Sequence, residues 1–147
     1  MLHFSHFEKV EEPLYYYYQH DASTVHTIDM QRCEDRLLMA KRMIEEARKN
    51  GFYKIYRREF DFAFTKTYYM NTLFSYMLNV KHPQVSFLKL MAKGMKEEFP
   101  DFQKNKYYQD FFDEEQKKFA KMNLKHSAYF KFYFKALYTY RRLAKKA

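Results

Sequence analysis

The sequence predicts a mainly α-helical fold, a bundle of about five helices preceded by one short β-strand and a loop. Three observations predict it. Two glycines and three prolines in 147 residues are too few for a turn-dense β-sandwich or for glycine-dependent phosphate loops. Apolar residues recur every three or four positions from Ile28 almost to the C-terminal end, the spacing of amphipathic helices. Asn50-Gly51, His82-Pro83 and Pro100-Asp101 then cut that pattern into segments of ordinary helix length.

The elements follow in order. Val10 and Leu14 to Tyr18 favour an extended chain, and Pro13 blocks helix continuation, so His6 to Gln19 reads as one strand. His20 to Thr27 is polar and rich in short side chains, a loop that ends in a helix cap at Thr27 or Asp29. Met30, Cys33, Leu37, Ala40, Ile44 and Ala47 form the apolar stripe of the first helix, closed by Gly51. Tyr53 to Leu78 reads as one long helix, because Tyr56, Phe60, Phe64, Tyr68, Phe74 and Met77 keep helical spacing. Pro83 ends it, since the residue before a proline avoids the α region. Gln84 to Phe99 is the third helix. Asn105 caps a fourth from Lys106 to about Met122, with a kink at Asn123. A last helix runs from Lys125 to about Lys145, with Tyr129, Tyr133, Leu137, Tyr140 and Ala144 on one face and Phe130, Phe134 and Tyr138 beside it.

Length and composition bound the function. The chain fits one domain with a core of its own. Cys33 is the single cysteine, so no internal disulfide forms, and the expected setting is cytoplasmic. No run approaches the length of a membrane span, and the N-terminal residues lack the order of a secretory signal. The net charge of +9 is unevenly placed: every acidic residue lies at or before Glu115, and ten lysines and arginines follow it. Such a positive pole attracts anionic lipid, nucleic acid or an acidic partner. A lone strand leaves its backbone groups unpaired, so the strand before Thr27 implies a larger α/β protein, divided into residues 1–27 as terminal strand and loop and residues 28–147 as a helical domain.

The run Val10-Glu11-Glu12-Pro13-Leu14-Tyr15-Tyr16-Tyr17-Tyr18-Gln19-His20-Asp21-Ala22-Ser23 resembles the segment that ends the nucleotide-sugar domain of bacterial family 2 glycosyltransferases, which reads roughly Pro-Leu-Tyr-Tyr-Tyr, a few polar residues, then Ser. The helical remainder, with Asn105-Lys106-Tyr107-Tyr108 and a basic aromatic last helix, is similar to the accessory region of such enzymes from capsule and wall polysaccharide pathways. The resemblance implies transfer of a hexose from a nucleotide sugar to a glycan acceptor, with a divalent metal (Mg or Mn) held by an upstream Asp-x-Asp motif that this chain does not contain. No cofactor is then expected in this segment, which is predicted to be inactive alone. It also implies that Gln19, His20, Ser23 and His26 belong to a lid over donor and acceptor, with Gln19 and His20 standing where the family often has arginine.

Other residues carry weaker signals. His3-x-x-His6 lacks a third ligand at a fixed spacing, so surface histidines are favoured over a metal site. Cys33 sits on an apolar helix face without a base, and Glu45-Glu46, Glu97-Glu98 and Glu114-Glu115 point in different directions around their helices. No catalytic residue is assigned. The nine methionines read as core filler rather than a binding groove, and Tyr15 to Tyr18 as a strand packed on both sides rather than a sugar platform. On the last helix Lys131, Lys135, Arg141, Arg142 and Lys145 suit a membrane or partner contact. The alternative to the glycosyltransferase segment is thus a non-enzymatic basic helical module that binds a membrane, an acidic protein or, least favoured, nucleic acid. Pairing of the exposed strand predicts a homodimer as a further possibility. The expected location is cytoplasmic, peripheral at the inner face of the cell membrane.

Overall fold

The computed structural model describes residues 28–144, and within them the protein is a mainly α-helical bundle. The predicted strand, the lid loop and the Thr27 cap lie outside the described residues. Helix α1 spans Met30–Lys49, and the Asp29 carboxylate caps it by accepting from the Arg32 amide at 2.9 Å. Its buried stripe is Cys33, Leu37, Ala40, Ile44 and Ala47, the set that the spacing predicts apart from half-buried Met30. Gly51 follows at φ +76°, the left-handed conformation that an L side chain adopts only with strain.

The segment read as one helix from Tyr53 to Leu78 is built in pieces. Helix α2 is a single turn, Phe52–Ile55. Tyr56 breaks the chain at ψ 40°, after which a continuous helical rod runs through α3 (Arg57–Phe64), a π-helical stretch (Thr65–Asn71) and α4 (Thr72–Asn79). The widened turns put Thr65, Tyr68, Tyr69, Met70, Thr72 and Leu73 all inside. Such a rod suits the centre of a bundle, and this one meets α1 and α5 as well as its own neighbours. Two threonine hydroxyls support it, Thr65 Oγ1 donating to the Asp61 carbonyl at 2.7 Å and Thr72 Oγ1 to that of Thr67 at 2.8 Å.

Helix α5 is Val85–Glu98. Gly94, inside it, leaves room for the buried Tyr68 phenol: a Cβ at that position would stand 2.0 Å from the Tyr68 hydroxyl. A short 3-10 turn, Phe102–Lys104, leads to α6, Lys106–Phe111, capped by the Asn105 side chain. The sequence predicts one helix on to about Met122, but the structure stops it at Phe112 and starts α7, Glu114–Lys125, with a capping box: Asp113 accepts from the Gln116 amide at 2.8 Å and Gln116 Oε1 from the Asp113 amide at 3.1 Å. Asn123 is no kink. It lies within α7, 1% exposed, and its amide donates to the Tyr69 hydroxyl at 3.1 Å. Tyr69 in turn donates to the Ala120 carbonyl at 3.0 Å. The break falls at His126, and α8 runs Ser127–Ala144.

Aromatic rings dominate the core. Phe64, Tyr68, Tyr69, Tyr76, Phe119, Phe130 and Phe134 are each at most 2% exposed, and many meet edge to face or at a tilt, as Phe119 does with Phe130 and Phe134 at 6.1 and 5.1 Å. These geometries add to what burial alone contributes.

Candidate docking face on the last helix

Helix α8 has no acidic residue and carries apolar side chains on two opposite faces. The inner face packs on α7, α5 and α4 through Phe130 and Phe134, both 0% exposed. Two polar contacts fix its seating. Ser127 Oγ donates to the Asn123 carbonyl at 3.1 Å, and Lys135 Nζ to the Met77 carbonyl at 3.0 Å near the end of α4, where a cation also meets the negative end of the helix dipole.

The outer face is Tyr129, Phe132, Ala136, Tyr140 and Leu143, all exposed. At 100° per residue these five fall within about 80° of arc. Phe132 is 74% exposed and Tyr140 69%. The sequence pattern groups Tyr129 and Tyr140 with Tyr133 and Leu137 on one apolar face, with Phe130 and Phe134 beside it, and does not single out Phe132. With Phe130 and Phe134 at the centre of the packed face, Tyr129 and Tyr140 are turned to the far side, and Tyr133 and Leu137 stay half-buried between the two faces.

The basic residues predicted for this contact separate into two groups. Arg141 is tied to the protein's own surface: its guanidinium grips both Glu115 oxygens at 2.8 and 3.2 Å and lies 5.8 Å from the Tyr138 ring centroid. Lys135 is committed to Met77. Lys131 and Arg142 form no ion pair among the described residues; by angle they lie together, about 80° to 100° round the helix from one edge of the aromatic stripe. On the other flank Lys118 of α7 stands 5.1 Å over the Tyr133 ring, and Tyr133 lies 6.2 Å from Tyr129. Lys145 and the lid residues Gln19, His20, Ser23 and His26 lie outside the described residues.

Cys33 is the one thiol among the described residues. Cys33 is fully buried and burial pushes its thiol pKa up, which works against the nucleophilic thiolate. No group of three His, Cys, Asp or Glu side chains there is placed to hold a metal, and no helix there is long and apolar enough to cross a membrane. Comparisons of the chain with family models, with curated proteins and with solved structures find no match.

Proposed function

We propose that this chain is a helical docking module that rests the outer face of α8 on an anionic membrane surface, as the accessory segment of a glycosyltransferase acting in surface-polysaccharide synthesis. The observation that carries the docking is the stripe of Tyr129, Phe132, Tyr140 and Leu143, exposed on a helix without an acidic residue, with Lys118 beside it over Tyr133 and Lys131 and Arg142 farther round the same helix. Phe and Leu there would enter the acyl boundary, Tyr would sit at headgroup depth, and each basic side chain near an anionic surface adds about 1 kcal/mol. Self-pairing through the same face is disfavoured, because it would bring together two copies of a basic helix that has no acidic residue to offset the repulsion. The enzymatic setting is supported by the Pro13 to Ser23 run alone, and a lipid-linked acceptor would give such a module its purpose.

The test is sedimentation of the full chain with vesicles of phosphatidylcholine, with and without added phosphatidylglycerol. The expected outcome is binding only to the anionic vesicles, weaker in high salt, and lost in the double variant Phe132→Ser/Tyr140→Ser, whose fold is intact. Equal binding by that variant, or binding to RNA but to neither vesicle, overturns the proposal. The enzymatic setting has its own test: a nucleotide-sugar domain with an Asp-x-Asp motif encoded in frame upstream of Met1 supports it, and no such domain removes it while leaving the docking untouched.

A further inference from the structure

A cleft of about 780 Å³ opens between the end of α1 and the α2–α3 corner on one side and the end of α5 with the turn that follows it on the other. Its aromatic floor is Tyr53, Phe99 and Phe102, and charged side chains make up most of the remaining lining. Three carboxylates line it, and each has a cation of its own. Glu98 pairs with Arg48 at 2.5 Å, Asp61 with Arg57 at 3.7 Å, and Asp101 with Lys104 at 3.0 Å. Asp61 is taken up further by the Tyr53 hydroxyl, which donates to it at 2.6 Å. Two cations that line the same cleft, Lys54 and Arg58, form no ion pair among the described residues. The cleft therefore carries a surplus of two positive charges, available without breaking any existing pair.

The aromatic floor offers little for stacking. Tyr53 meets Phe99 with ring centroids 6.4 Å apart and has the Arg48 guanidinium 5.0 Å from its own centroid. Phe99 and Phe102 are 7% and 4% exposed. A ligand held here is recognised by charge and hydrogen bonds before ring faces, and a surplus of two cations, one the planar fork of an arginine, matches a compact dianion. We propose that this cleft binds a phosphomonoester, with Lys54 and Arg58 as the residues that hold the phosphate. A phosphomonoester carries close to two negative charges at neutral pH and three strong acceptor oxygens. The site stands on helices other than α8 and is independent of membrane docking.

The experiment is an NMR titration of the labelled full chain, in buffer free of phosphate, with glucose 1-phosphate, inorganic phosphate and glucose. Saturable shifts at the Tyr53, Arg58 and Asn105 amides with glucose 1-phosphate are expected, and none with glucose. In Lys54→Gln/Arg58→Gln, two exposed positions whose change leaves the melting temperature in place, affinity falls roughly tenfold or more, while Lys89→Gln/Lys93→Gln on α5 binds as the parent does. Inorganic phosphate binding as tightly as the ester shows that the dianion alone is recognised, and tighter ester binding shows that the sugar adds contacts; both support the site. Absence of saturation by either phosphate compound, an equal response to glucose, or undiminished binding by the Lys54 and Arg58 variant overturns it.

Discussion

The two faces of α8 carry similar side chains in opposite surroundings. Phe130 and Phe134 on one side are 0% exposed, whereas Phe132 between them in sequence is 74% exposed. Burial of the inner pair is what stabilises the helix, since an 18-residue helix draws most of its stability from packing and little from propensity. The outer rings gain nothing of the kind within the described fold. Identity of side chain therefore does not tell what a residue is for, and the difference between the faces separates what folds this protein from what it presents.

The largest expected effect exploits that difference directly. Phe134→Ala removes a ring packed against Phe119 at 5.1 Å, Phe130 at 5.6 Å and Tyr138 at 4.3 Å, and should cost about 3 to 5 kcal/mol of stability. Phe132→Ala should cost within about 0.5 kcal/mol, as surface changes do. Urea denaturation of the two variants measures both. A large loss in Phe132→Ala would mean that the outer face is packed against part of the chain outside the described residues, and the contrast between the faces would collapse.

Buried tyrosines sharpen the comparison through pH. Burial pushes the Tyr108 phenol up to about 12 from an ordinary 10, with Glu114 adding to the rise. Tyr69 is raised as well, by burial first and against the lowering effect of its hydrogen bond with Asn123. A raised folded-state pKa means that the native protein holds these protons more tightly than the unfolded chain does. Their contribution is fully present below about pH 10 and is lost as pH rises through the interval toward 12. Denaturation midpoints should therefore fall steadily above pH 10, and Tyr108→Phe, which removes one such proton, should make that fall shallower. A midpoint that is flat to pH 12 would show that these phenols reach solvent when ionised.

Much of the fold was legible because it is written locally. The Cys33 to Ala47 spacing, the Asp29 and Asn105 caps and the left-handed Gly51 each rest on a few neighbouring residues. The misses have long-range causes. Nothing near Asn123 in sequence shows that the Tyr69 hydroxyl waits 54 positions earlier to hold its amide inside α7. The π-helical stretch and the Gly94 notch under Tyr68 likewise depend on what packs across the bundle. The break before α7 was readable, since Asp113-x-x-Gln116 is a capping-box signature, but Phe111-Phe112 kept the apolar pattern running through it. The candidate docking face was half legible: its charge asymmetry stands in the sequence, whereas which arc of α8 faces outward is decided by the core, and two apolar arcs on one helix make the periodicity ambiguous.

The smallest expected effect concerns the basic residue most firmly held on the protein itself. Arg141 and Glu115 form a two-pronged pair, each partner a little over 40% exposed, so solvent screens most of the attraction and Arg141→Gln should leave the denaturation midpoint close to the parent's. The value of the substitution lies in what else it moves. If Arg141 serves only to tie α8 to α7, binding to anionic vesicles should change little, while Arg142→Gln, one position on and without a partner among the described residues, should weaken it and reduce its dependence on salt. If instead Arg141→Gln weakens vesicle binding as much as Arg142→Gln does, the pair with Glu115 opens at the membrane, and the division between a folding face and a presented face would have to be drawn through Arg141 itself.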